Sequence, residues 1–147
     1  MSSNRWARRR ARRALVQAVY QWQMSEAETA DLEAEFAAGE ALNKADKEFF
    51  KDVLRGVVLR TAELDELLAP ILDRSIQQLD CVERAILRLG TFEMKSRPDV
   101  PYRAVIDEYV ELAKIFGAED GHKFVNGVLD RIARSQRAAE VTAGGRV

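Results

Sequence analysis

The sequence predicts an all-α fold of two packed helical bundles, with about seven helices. Three observations carry that expectation. Apolar residues recur at intervals of three and four through most of the 147 residues. No segment of useful length alternates apolar and polar residues as a half-buried strand does. Three prolines and eight glycines leave few breaks in such a chain. The composition, 47% apolar and 32% charged, is that of a folded domain and neither a disordered nor a membrane-embedded one. A chain of this size buries roughly 68–70% of its unfolded surface and needs no covalent staple. The expected organisation is one all-α domain over residues 1–134, with bundle one at about 5–71 and bundle two at about 75–134. Residues 135–147 are expected to form a flexible polar tail.

Residues 5–25 form the first expected helix, with Ala11, Leu15, Ala18 and Trp22 on a narrow apolar stripe. Arg5, Arg9, Arg12 and Arg13 are expected to project away from it, on the side that also carries Tyr20 and Gln23. An acidic helix follows at about 27–38, with Leu32 and Phe36 as a thin apolar edge and Gly39 as its stop. One long helix is expected over 46–69, its stripe running through Phe50, Leu54, Val57, Thr61, Leu64 and Leu68 to a close at Pro70. After a helical turn near Ser75–Leu79, Asp80 has the character of an N-cap for helix 82–95. There Val82, Ala85, Ile86, Leu89 and Phe92 face inward, and Glu83, Arg84, Arg88 and Thr91 are expected to face out. Pro101 suits the start of helix 102–116, which is apolar around most of its girth, and Gly117 suits its end. Helix 119–134 packs through Phe124, Val125, Val128, Leu129 and Ile132.

Charge is distributed unevenly. Residues 1–25 hold six arginines and no acid, a charge of +6, and the other 17 basic residues face all 24 acids, a net of −7. A solvated face is the ordinary reading of a mixed-charge helix. Six arginines without an acid or a lysine repel one another, and an anion relieves that repulsion. With Tyr20 among them, the run offers phosphate neutralisation together with a flat ring on which a base can stack, the two requirements of single-stranded RNA. A helix-turn-helix reader of DNA would need a helix before its basic one, and none precedes this run. Asn126 and Gly127 lower helix propensity inside the last helix. Either the helix packs closely at Gly127, or a ligand backbone approaches there.

Catalysis finds little support. Cys81, the only cysteine, excludes an internal disulfide and a thiolate zinc site, and it reads as a small packed residue at a helix start. His122, the only histidine, reads as a surface hydrogen-bonding residue. Asp107, Glu108 and Glu111 read as a polar helix face, so neither a metal nor a cofactor is expected. There is no glycine-rich phosphate loop and no nucleophile elbow. No apolar run reaches the roughly 18 residues of a spanning helix. The arginine-rich start lacks the apolar run of a secretory signal, which reads as a cytoplasmic chain.

Four segments carry a family resemblance: the arginine run at 8–12, Gln17-Ala18-Val19-Tyr20 with Trp22, Val100-Pro101-Tyr102 followed by Ala104-Val105-Ile106-Asp107-Glu108, and Gly117 through Asp130. Together they resemble the bacterial NusB family over about residues 6–134, and the last segment is the most specific. The resemblance implies a transcription antitermination adaptor that binds boxA-type single-stranded leader RNA of ribosomal RNA operons. Its implied protein partners are NusE, a ribosomal small-subunit protein, and the RNA polymerase antitermination complex. The RNA contacts it implies are Arg8, Arg9, Arg12, Tyr20, Asp120, Lys123 and Phe124, with Arg88 as an addition. The NusE contacts it implies are Glu83, Arg84 and Phe116. Gln77 and Gln78 stand where the family pattern is acid-rich, which bears on the pairing with NusE. Methyltransferase activity, found in longer proteins with a similar domain, is not expected. A helical protein–protein module whose basic helix meets an acidic partner is the competing reading, and a free homodimer stays open beside a monomer.

Overall fold

The computed structural model describes residues 2–144. Its first helix, α1 (Ser2–Ser25), buries Ala11, Ala14, Leu15, Val16, Ala18 and Val19. That arc is wider than the four-residue stripe read from sequence. It packs against α3 (Lys47–Leu59), whose Phe49, Phe50, Val53, Leu54 and Val57 fill the same core. The acidic helix α2 (Thr29–Ala38) closes this core with Leu32 and Phe36, and the Phe36 ring lies 5.7 Å from that of Phe50. Asp46 positions α3 twice: its carboxylate accepts from the Phe49 N–H at 3.0 Å, and its own N–H donates to the Ala7 carbonyl.

Residues 46–69 are two helices, where one continuous helix was expected. α3 ends at Leu59, Arg60 leaves helical geometry (φ −109°, ψ 20°), and α4 (Thr61–Leu68) begins at once. The two pieces serve different cores. α3 packs on α1, whereas Leu64 and Leu68 of α4 are buried in a second compact unit, with α4 packed on α5. Residues Met1–Arg60 make up the first unit and Thr61–Val147 the second, so the division falls about ten residues before the boundary expected at 71–75.

A 3₁₀ turn (Ile76–Gln78) precedes α5 (Cys81–Ser96), and Asp80 caps α5 by accepting from the Val82 and Glu83 N–H groups. α5 is the axis of the second unit, packed by α4, by α6 (Tyr102–Phe116) and by α7 (Gly121–Gln136). Glu83, Arg88 and Thr91 are therefore buried and Arg84 half-buried, not outward as their positions on an isolated helix suggested. At Gly90 a Cβ would stand 2.7 Å from Leu129, so α5 and α7 meet this closely only through a glycine.

Beyond Arg134 the polar tail is structured as far as residue 144. Arg137 is buried and donates to the carbonyls of Glu93, Met94 and Arg97, the C-terminal end of α5. It also pairs with Glu140 of the short helix α8 (Ala138–Gly144), at 2.7 Å. Glu140 in turn accepts from the Tyr102 N–H at 2.8 Å, the first residue of α6. Cation on a helix C-terminus and anion on a helix N-terminus each complement a macrodipole. Burial pushes the Glu140 carboxyl upward, but the Tyr102 N–H and the Arg137 guanidinium outweigh it and hold the group below its ordinary range. The remainder of the expected tail, 145–147, lies outside the described residues. No helix among the described residues is long and apolar enough to cross a membrane.

Candidate nucleic-acid interface

The arginine run of α1 divides into an inward and an outward set. Arg12 is only 5% exposed, and its guanidinium lies 4.9 Å over the Phe49 ring. Arg8, one turn earlier, lies 4.8 Å over the same ring and 3.5 Å from the Asp46 carboxylate. The expectation that Arg12 projects outward is thus corrected. The wide buried arc reaches the Arg8–Arg12 edge of the helix, and a planar guanidinium tolerates that burial on an aromatic face. Arg5, Arg10 and Arg13 are exposed and Arg9 half-buried, its guanidinium 4.8 Å over Trp6. Trp6 is 48% exposed and Tyr20 39% exposed, so two rings flank the outward cations.

Beside that face lies a cavity of about 330 Å³. Arg10, Arg13, Ala14 and Gln17 line it from α1, and Glu40, Ala41 and Asn43 from the turn after α2. The sequence assigns no site role to Trp6, Glu40 or Asn43, and Arg10 enters it only as one of the cationic run. The spacing of Arg10, Arg13 and Gln17, at intervals of three and four, is the signal for the helical part. Glu40 and Asn43 reach the cavity through a tertiary turn that spacing on α1 does not reveal.

In the second unit, Asp120 ends the α6–α7 turn in a left-handed conformation (φ 65°, ψ 1°), unusual for a residue with a side chain. Its carboxylate lies 3.4 Å from Lys123, and both side chains are open to solvent. Phe124 is half-buried beneath Arg74, whose guanidinium sits 5.1 Å over the ring, and Arg74 also donates to Asp73. Asn126 and Gly127 are exposed, and a Cβ on Gly127 would meet no atom within 4 Å, so close helix packing does not account for this glycine.

Arg88 lies apart from these groups. It is 7% exposed and holds Asp65 of α4 through two hydrogen bonds at 3.0 and 2.8 Å. An arginine engaged in that way does not extend a cationic surface strip, and the expected role is corrected accordingly. Among the residues expected to meet a protein partner, Glu83 is 8% exposed, and its carboxylate occupies the space that a Cβ on Gly121 would need. Burial pushes its carboxyl up, the Asp80 charge adds to the shift, and the Arg74 charge opposes it. Arg84 is half-buried, with one guanidinium nitrogen 3.1 Å from the Cys81 sulfur and Nε buried without a hydrogen-bond partner. Phe116, at the end of α6, is half-buried. Glu83, Gly121, Arg74 and Phe124 thus meet at the start of α7.

Comparison with known proteins agrees with both units. The sequence profile of the NusB family matches residues 9–134. The transcription antitermination protein NusB of Alcanivorax borkumensis is 56% identical over 136 residues, covering 92% of this chain and 91% of that protein. Its counterpart in Pectobacterium carotovorum is 52% identical over 131 residues, covering 89% and 94%. Among solved structures, T. maritima NusB superposes with a TM-score of 0.76 at 37% identity, over 86% of this chain and 89% of that one. A crystal structure of the antitermination factors NusB and NusE in complex with dsRNA gives a TM-score of 0.78 at 30% identity, over 86% and 96%. The all-helical architecture, the profile match and these identities agree, and the chain belongs to the NusB family.

Proposed function

We propose that this chain is an RNA-binding transcription antitermination adaptor that acts with NusE on boxA-type leader RNA. The observation that carries this reading is the outward face of α1. Arg5, Arg10 and Arg13 are exposed there, Arg9 lies against Trp6, Tyr20 is exposed, and Arg10 and Arg13 line an open cavity. Cations neutralise phosphate, and exposed rings offer about 1–3 kcal/mol of stacking per base. In the second unit, Lys123, Phe124 and Asp120 form the polar-aromatic group proposed to contact further nucleotides. Arg8 and Arg12 are assigned to positioning α1 against α3, and Arg88 is left out of the surface. NusE is proposed to dock on the second unit around Glu83, Arg84 and Phe116. The complex of relatives with NusE and RNA supports this partnership. The reading assigns the chain no catalytic step and places it in the cytoplasm, with the transcribing polymerase.

The test is a titration of boxA-type RNA against a scrambled control of equal composition, with and without NusE. Tighter binding of the boxA strand, strengthened by NusE, is the expected result. Equal weak binding of both strands overturns it and favours the competing module for an acidic protein. Within that assay, Tyr20→Leu should cost about 1–3 kcal/mol of RNA affinity with helicity intact. A change within error would return Tyr20 to a packing role.

A further inference from the structure

The cavity beside α1 has a lining that phosphate binding alone does not explain. Arg10 and Arg13 bring positive charge, but Glu40 brings a carboxylate, which only accepts hydrogen bonds and repels phosphate. The turn that carries it is held in place: Leu42 is buried, and the Asn43 N–H donates to the Glu40 carbonyl at 3.0 Å. Among the described residues, no ion pair joins Glu40 to an arginine. Gln17 and Asn43 add two amides, each with a donor and an acceptor. The volume lies near the lower end of the roughly 300–1,000 Å³ typical of ligand sites.

We propose that this cavity takes one unstacked nucleotide of the bound RNA and selects a base that carries an exocyclic amino group. Arg10 and Arg13 hold the flanking phosphates, Glu40 accepts from the amino N–H, and the Gln17 or Asn43 amide meets the neighbouring ring nitrogen or carbonyl. Sequence-specific RNA binding characteristically reads splayed bases on their hydrogen-bonding edges, and a carboxylate that accepts from an amino group is an established pairing. Uracil is disfavoured because O4, an acceptor, stands where cytosine carries its amino group, and it would face the Glu40 charge, leaving only the ring N3–H to donate.

The inference rests on the RNA-binding reading, and the experiment separates the two. Short cytidine-only and uridine-only oligoribonucleotides, both pyrimidines, are titrated into the full chain at fixed salt. The cytidine strand should bind at least about fivefold more tightly, the low end of what one good base contact discriminates. Glu40→Gln, an exposed isosteric change, should bring the two affinities within about twofold, chiefly by tightening uridine binding. Arg10→Ala should weaken both strands alike. A wild-type ratio near one, a ratio unmoved by Glu40→Gln, or equal tightening of both strands overturns the base-selecting role while leaving RNA binding intact. Salt-insensitive, negligible binding of both strands overturns the RNA reading and this inference with it.

Discussion

Replacing Arg137 by methionine should cost about 1–3 kcal/mol of unfolding free energy, the range for leaving buried acceptors unpaired, because Glu140 is 39% exposed and water can take its partner's place. Methionine keeps much of the apolar stem but none of the donors. The carbonyls of Glu93, Met94 and Arg97 would lose their shared guanidinium, and Glu140 its 2.7 Å partner. Both ends of the 97–101 connection loosen together, because Glu140 also holds the start of α6. Arg137→Lys restores the charge but not the planar fork, so it should recover only part of the loss. Urea unfolding followed by helicity checks both variants. A cost below about 1 kcal/mol for methionine would show that water replaces the guanidinium on those carbonyls.

RNA binding should separate the two sets of arginines on α1. Arg10→Ala with Arg13→Ala should lower affinity at every sequence and flatten the logarithmic salt dependence by about 0.7 for each phosphate left unneutralised on single-stranded RNA. Arg12→Ala should leave the slope in place and instead destabilise the protein by up to about 2 kcal/mol, the scale of a desolvated cation–π interaction. Salt titrations and denaturation curves on the same variants supply both readings. A flattened slope for Arg12→Ala would place its guanidinium on the RNA despite its burial over Phe49.

The ends of helices were legible because the physics there is local. Asp80 caps α5, Pro101 and Gly117 bracket α6, and the 3₁₀ turn stands where the turn at 75–79 was expected. Angular position along a helix was legible too, but not the width of the buried arc, which neighbouring helices decide. Arg12, Glu83 and Arg88 were misplaced for that one reason. The break at Arg60 carries no proline or glycine, and it arises because α3 and α4 answer to separate cores. Arg137 stood in a polar stretch, and only the approach of three distant carbonyls gives it a buried role. Of the candidate site, the cationic run and Tyr20 were readable from composition. The cavity was not, because three of its seven lining residues arrive from the turn at 40–43.

Gly127 leaves the middle of α7 without a side chain over its peptide groups and without a neighbour to replace it. Glycine weakens a helix interior by about 1 kcal/mol relative to alanine, so transient opening should be easiest around this residue. Amide hydrogens of Asn126 and Gly127 should exchange with deuterium faster than those of Leu129 and Ile132 on the buried side. Gly127→Ala should slow that exchange, which would mark α7 as a helix with a soft centre held between two firmer turns.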